Sequence, residues 1–312
     1  MSDMSKVSRG ETKKRRVALF TSVPPRLVRL DGAGVDIGAA YLGECIGSWQ
    51  SAGFDPFSIN AVGEPTSHSL RQIRVDRDAR DIAAGRPMVF LDDFLGAIAS
   101  AAGGSAYAIA NADVTILDAD LAERVASIRP GEVLFSRRLD WPAEDRARRT
   151  VAIHGFDFFA GHSDDLRSFG GSGLVFGLPW WDHFFPLAMW INGVRLRQLA
   201  PVVAHLDHGE RWDSASWHQL GTRFVEAMEA RRPPAAYASV LDAAMGRHTG
   251  AARHLLLRAF AKLRGRHEAR DATQVLNRVS GANIAFIDGV APIEAAPAPA
   301  MERSRFDTRL SR

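Results

Sequence analysis

Several scarcities narrow this 312-residue chain before any motif is considered. It has a single cysteine, Cys45, so it can form no internal disulfide and has no cysteine cluster for a structural zinc; a reducing compartment follows. No apolar run is long enough to cross a bilayer. Val17-Ala18-Leu19-Phe20 does follow a basic stretch, but Thr21-Ser22-Val23-Pro24-Pro25 interrupts it before a secretory apolar region of roughly 7–15 residues can form. That segment is expected to be a buried strand in a cytoplasmic protein. No internal repeat is visible, which sets aside repeat arrays. With 46% hydrophobic and 24% charged residues, what remains is a soluble globular protein of one large or two small domains.

Positive charge is also scarce where it would matter for nucleic acid. The net charge of +3 suggests a polyanion binder until it is divided along the chain. Residues 1–16 carry six Lys/Arg against two acids, and 231–270 carry nine against two, whereas 17–230 carry 19 against 27. An acidic body with basic flanks opposes the displacement of phosphate counterions that nucleic-acid binding requires, so no nucleic-acid partner is expected for the body.

The first sixteen residues end in Lys13-Lys14-Arg15-Arg16 and lack periodicity, as a disordered basic tail would; residues 291–312, with Ala295-Ala296-Pro297-Ala298-Pro299-Ala300, are expected to be a second tail. Between them, apolar runs alternate with helical patterns. Strands are expected at Val17 to Val23, Asp55 to Ala61, Pro87 to Leu91, Ala106 to Ala110 and Gly131 to Ser136. Helices are expected at Gly38 to Ala52, where Ala39, Leu42, Ile46 and Trp49 share a face, at Phe94 to Ala101 and at Ala119 to Ile128. This order implies an α/β fold with a mainly parallel sheet flanked by helices, and ligands in such folds bind beyond the carboxyl ends of the strands. Arg232-Pro233-Pro234 marks a break, after which 231–290 reads as a helical extension containing a basic amphipathic stretch from Arg253 to Arg266.

The residues that follow each apolar run are therefore the candidates for chemistry. Tyr107 to Ala110 ends in Asn111-Ala112-Asp113, two oxygen-bearing side chains that can converge on a divalent cation and its diphosphate, or simply make a strand-ending turn. Leu199 to Ala204 ends in His205-Leu206-Asp207-His208. Histidines three apart do not face each other on a strand, so one is expected as a metal ligand and the other as a supporting or packing residue, with a core histidine as the alternative. The glycines of Gly170-Gly171-Ser172-Gly173 would let backbone approach a ligand. Asp182, in Trp180-Trp181-Asp182, would then either deprotonate a hydroxyl or serve a helix N-terminus. Thr21 and Arg26 close the first strand, where Arg26 can meet a phosphate or stay in solvent. Of Asp92 and Asp93, at most one faces a ligand while the other opens a helix.

In this order the residues resemble the common core of GT-A-fold glycosyltransferases, the nucleotide-diphospho-sugar transferases. The acidic strand-end motif matches Asn111-Ala112-Asp113, and the glycine-rich loop matches Gly170 to Gly177. The acid opening the acceptor-side helix looks like Asp182, and the late metal-binding histidine looks like His205 or His208. Phe20-Thr21-Ser22-Val23-Pro24-Pro25-Arg26, Ser58-Ile59-Asn60 and Gly155-Phe156-Asp157-Phe158-Phe159 are similar to phrases in a group of bacterial members. The resemblance covers about 17–215 and implies a GT-A-like catalytic domain over 17–230. It further implies a nucleotide-sugar donor bound through Thr21, Arg26, Asp92, Asn111, Asp113, Gly171 and Gly173. Mn2+ or Mg2+ would sit on Asp113 with His205 and His208, and Asp182 would act as the base of an inverting transfer to a glycan or lipid-linked hydroxyl acceptor. The departure is Asn111, which removes one charge from the motif and leaves Asp113 as the stronger ligand.

Two alternatives remain open at this stage. A sugar nucleotidyltransferase would need a Gly-rich, Lys-containing triphosphate loop near the first strand, and Val17 to Arg26 has none. A non-catalytic protein on the same fold could bind a glycan or a partner through Trp180, Trp181, Trp190, Trp212 and Trp217, although aromatics at helical spacing usually form core. The Arg253 to Arg266 stretch is either a solvated face or a peripheral contact with the inner face of an anionic membrane.

Overall fold

A computed structural model describes residues 16–294 except 67, 144, 153–154, 168, 209–213 and 247–265. Most of both expected tails and nearly all of the basic stretch from Arg253 to Arg266 lie outside the described residues, but Ile293–Glu294, inside the expected second tail, form a short strand in the sheet. Among the described residues, no helix is long and apolar enough to cross a membrane.

The elements run β1 (Val17–Thr21), α1 (Gly38–Ser51), β2 (Phe54–Ala61), β3 (Arg71–Val75), α2 (Leu91–Ala102), β4 (Ala106–Ala110), β5 (Val114–Ile116), α3 (Leu121–Ala126), β6 (Glu132–Trp141), β7 (Thr150–Val151), β8 (Phe158–His162), α4 (Trp181–Ile191), β9 (Arg195–Leu206), α5 (Ser214–Ala230), α6 (Ala235–Met245), α7 (Arg266–Val290) and β10 (Ile293–Glu294). One ten-stranded sheet has the spatial order β10-β9-β6-β8-β4-β1-β2-β3, with β5 on β9 and β7 on β6. β1, β2, β3 and β4 pair in parallel, as do β6, β9 and β10. β8 runs against both of its neighbours, β4 and β6. It follows that β1, β2, β4, β6 and β9 all point the same way. Their carboxyl ends share one edge of the sheet, where the amino end of β8 joins them.

Alternation along the strands builds the two cores. In β1, Val17 and Leu19 face the layer containing α1 and α3, while Phe20 faces α2 and the C-terminal helices; in β4, Ala108 and Ala110 take the first side and Tyr107 and Ile109 the second. α1 seats Tyr41, Leu42, Cys45 and Trp49 on the first face at helical spacing, whereas Ala39, expected on that face, is exposed and Ile46 only partly buried; the Trp49 indole donates to the Val114 carbonyl at 2.8 Å. On the second face α4 is buried along nearly its whole length, and Tyr237 of α6 and Val279 of α7 extend the same core.

The strand expected at Pro87 to Leu91 does not form. Only Phe90 bridges, to Val175, and Leu91 already begins α2. Asp92 and Asp93 in the first helical turn favour that start, and Pro87 has no N–H to give a ladder. The strand expected at Gly131 to Ser136 instead continues to Trp141, past a bulge between Ser136 and Arg138.

Candidate functional site

The shared carboxyl edge opens into a cavity of about 610 Å³. Its wall takes Ser22 to Arg29 from the segment after β1, Glu64 from the turn after β2 and Asn111 to Asp113 from the turn after β4. Arg138 comes from the end of β6, and His205, Asp207 and His208 from the end of β9. No lysine occurs between Lys14 and Lys262, so the cavity's cationic side chains are the arginines 26, 29, 86 and 138 and the two histidines.

Asp113 is the centre of this arrangement. Its Oδ2 accepts from the guanidinium of Arg29, a side chain only 3% exposed. The same oxygen lies 3.3 Å from His205 Nε2 and 3.9 Å from His208 Nε2. Strand register makes this possible, because His205 of β9 pairs with Val114 of β5 on one side and with Asp140 of β6 on the other. Asp140 closes the far side of the ring, with Oδ1 3.4 Å from His205 Nδ1 and 2.7 Å from Arg138 Nε. Tyr41 of α1 locks the assembly, donating to the Asp113 carbonyl at 3.0 Å and accepting from the Leu206 amide at 2.8 Å.

These contacts set the charges. Burial alone would raise the Asp113 carboxyl, but His205, Arg29 and His208 hold it well below the usual carboxylate range. Burial likewise opposes a charge on His205, yet Asp113 and Asp140 lift it to about 9. One ligand atom each from Asp113, His205 and His208 can lie within 4.8 Å of the others. A carboxylate oxygen with two imidazole nitrogens is a donor set that fits a divalent transition-metal ion better than magnesium, once His205 gives up its proton. Both rings face Asp113, against the expectation that one would stand apart. β9 ends at Leu206, and His208, beyond the strand, is free of its alternation.

Asn111 has a different task. Its Nδ2 donates to Asp157 Oδ1, whose other oxygen takes Arg138 Nη1 at 2.6 Å. Asp157 is 4% exposed, at the amino end of antiparallel β8. A carboxylate at position 111 would oppose that of Asp157, whereas the amide donates to it; the departure from an acidic motif thus has a local partner.

The other sequence candidates are spread around this centre. Thr21 is fully buried, and its hydroxyl has no hydrogen-bond partner among the described residues. Arg26 lines the cavity but is largely exposed, paired with Asp36 at 2.9 Å. Asp92 does not line it. Its carboxylate accepts from the Ser172 and Gly173 amides and thereby fastens the Gly171–Gly173 loop to the start of α2, while only Phe176 and Gly177 of that loop region reach the cavity wall. Asp182 is not on the wall either. Its Oδ2 accepts from the Phe156 amide at 3.1 Å, close against Gly155, where any Cβ would lie 2.3 Å from that oxygen. Burial raises the Asp182 carboxyl, opposed by His183 and reinforced by Asp157. Trp180 and Trp181 are core residues, Trp217 packs on Trp180 and Trp190 on Phe286; Trp212 lies outside the described residues. The four described tryptophans, Trp180, Trp181, Trp190 and Trp217, form no exposed platform.

No family model matches the sequence, and no curated protein matches it. Among solved structures, the fold is similar to that of GalNAc-T7 with UDP, GalNAc and Mn2+, at a TM-score of 0.44 and 11% identity, over 70% of this chain and 48% of that one. The chain thus spans about half the length of that protein. It is also similar to HddC from Yersinia pseudotuberculosis complexed with GMP-PN, at a TM-score of 0.37 and 9% identity, over 69% of this chain and 99% of that one. At this level of likeness function has to be read from the cavity itself.

Proposed function

We propose that the chain is a glycosyltransferase that moves a sugar from a nucleoside-diphosphate sugar to a hydroxyl acceptor with inversion. The observation that carries this reading is the convergence of Asp113, His205 and His208, flanked by Arg29 and Arg138, at the carboxyl edge of parallel strands. Such a site suits a diphosphate. Asp113, His205 and His208 would hold a divalent cation, which when bound supplies Lewis-acid stabilisation of a departing nucleoside diphosphate.

Beside it, Arg29 and Arg138, held by Asp113 and by Asp140 and Asp157, would add positive charge next to a phosphate. Arg26, on the rim, is free to exchange Asp36 for a phosphate at little cost, because its ion pair is exposed. Asp92 keeps the glycine loop against α2 and so fixes the floor from which Phe176 and Gly177 reach the donor. Asp182, off the donor cavity's wall beside Gly155 and Phe156, is proposed as the base for an acceptor that approaches from outside that cavity. A raised carboxyl in a buried setting is better matched to that task than an ordinary one. The acceptor would be a glycan or a lipid-linked hydroxyl.

The test is a thermal-shift series with UDP, GDP, CDP and ADP, each with and without manganese, on the native chain and on Asp113→Ala. Stabilisation by a nucleotide that requires both manganese and Asp113 is the expected result, since a ligand bound only by the folded state raises the midpoint. Absence of a shift with every nucleotide would overturn the reading.

A further inference from the structure

The cavity continues away from Asp113 across the end of β1 to a second polar group, Glu64 in the turn after β2. β1 lies between β4 and β2 in the sheet, so the two ends of the cavity are two strand spacings apart, roughly 10 Å, about the span of a nucleoside from phosphate to base edge. With a diphosphate at Asp113, this is where the base would lie. Pro24, Pro25 and Met88 line the same cavity and offer apolar surface to a ring face.

Glu64 is only 6% exposed, and its orientation is built rather than incidental. Its Oε2 accepts from Asn60 Nδ2 at 2.8 Å, and the same amide nitrogen donates to the Val23 carbonyl at 3.0 Å. Asn60 Oδ1 in turn accepts from the Ser58 hydroxyl at 2.6 Å, which itself accepts from the Val23 amide at 3.0 Å. Arg74 Nη1 holds the turn by donating to the carbonyls of Ala61 and Glu64. The Ser58-Ile59-Asn60 phrase is thus the support that holds the Glu64 carboxylate at the cavity wall. Burial raises the Glu64 carboxyl, against the opposing effects of Asn60, Arg74, the Ala61 backbone and Arg86. Arg86 lines the cavity as well, and its charge acts on Glu64.

We infer that the Glu64 and Arg86 end of the cavity reads the Watson–Crick edge of guanine, making the donor a guanosine-diphosphate sugar; this rests on the nucleotide-sugar reading above. Only guanine presents two adjacent donors, N1–H and the N2 amine, to a carboxylate, and beside them an acceptor, O6, to a guanidinium. Uracil has one N–H between two carbonyls. Adenine and cytosine each place a ring-nitrogen acceptor beside their amine, which would face the carboxylate unfavourably.

Calorimetric titration of the full chain with GDP, inosine diphosphate, UDP, CDP and ADP in manganese tests this. GDP is expected to bind most tightly, with inosine diphosphate, which lacks the N2 amine, weaker by about tenfold. Glu64→Gln should weaken GDP by about tenfold or more and leave UDP within twofold, with its melting temperature reporting that it folds. The inosine comparison uses the native chain and so stands even if that variant does not fold. Tighter binding of any other nucleotide than of GDP, or equal binding of GDP and inosine diphosphate, would overturn the guanine assignment while leaving the nucleotide-sugar reading intact. Failure of every nucleotide to bind would overturn both.

Discussion

Asp113 and Asp182 each begin a new direction of the chain, one just past β4 and the other in the first turn of α4, yet their surroundings drive them apart. Arg29 and two histidines crowd one oxygen of Asp113, so it stays a carboxylate under all ordinary conditions. Burial raises the Asp182 carboxyl and Asp157 adds to this, against His183 and the backbone amides of Phe156 and Asp182 itself. The same side chain holds its charge firmly in one place and is more readily protonated in the other. Environment, more than residue type, separates the two roles.

Four measurements would break or sharpen this contrast. Asp182→Asn should lower turnover by roughly 10²–10⁴, the usual range for a general base, while the affinity for nucleoside diphosphate stays within about twofold. Steady-state kinetics beside calorimetry will show the split, and an equal loss in both would remove Asp182 from proton transfer. Asp113→Ala should do the reverse, weakening nucleotide binding in manganese by at least about 100-fold, since even supporting groups around a metal are worth about 10–100-fold.

A third measurement concerns the neighbouring pair. Asn111→Asp sets a carboxylate against Asp157 and should lower unfolding stability by about 1–3 kcal/mol in urea titrations. The exchanged pair Asn111→Asp with Asp157→Asn should recover much of it, as a double-mutant cycle would show. The smallest effect is a pH dependence. His205 titrates at about 9 in the folded chain against an ordinary 6.5. Its protonated form therefore adds stability that is full below about 6.5 and is lost as pH rises through about 9. Metal-free protein should melt at progressively lower temperature over that window, and His205→Asn should flatten the slope.

Much of the scaffold could be read from apolar spacing. β1, α1, β2 and β4 lie close to where the alternation and the helical stripe place them, because each buries a full face. β3 was illegible because Arg71-Gln72-Ile73-Arg74-Val75 is an edge strand with only partial burial, and β8 because nothing in its five residues announces an antiparallel partner. Within the site, Asn111, Asp113, His205 and His208 were visible as polar residues ending apolar runs. Arg29 was not, since it meets Asp113 across 84 positions through a loop with no periodicity of its own. Asp157, Arg138 and Glu64 were hidden for the same reason, being joined by sheet order and not by sequence neighbourhood. The partner of Asn111 could have been suspected only from knowing that the amino end of β8 returns to this edge.

The phenol of Tyr41 joins the two halves of the proposed ligand set, touching the backbone of Asp113 on one side and of Leu206 on the other. The pairing of Val114 with His205 already ties these two segments, and the phenol adds a second tie beside it. With it, the gap between Asp113 and Leu206 acquires a gauge, set by a single hydroxyl oxygen carried on a helix that supplies no ligand itself. Loss of the Tyr41 hydroxyl would therefore be felt first in the spacing of these two backbone segments.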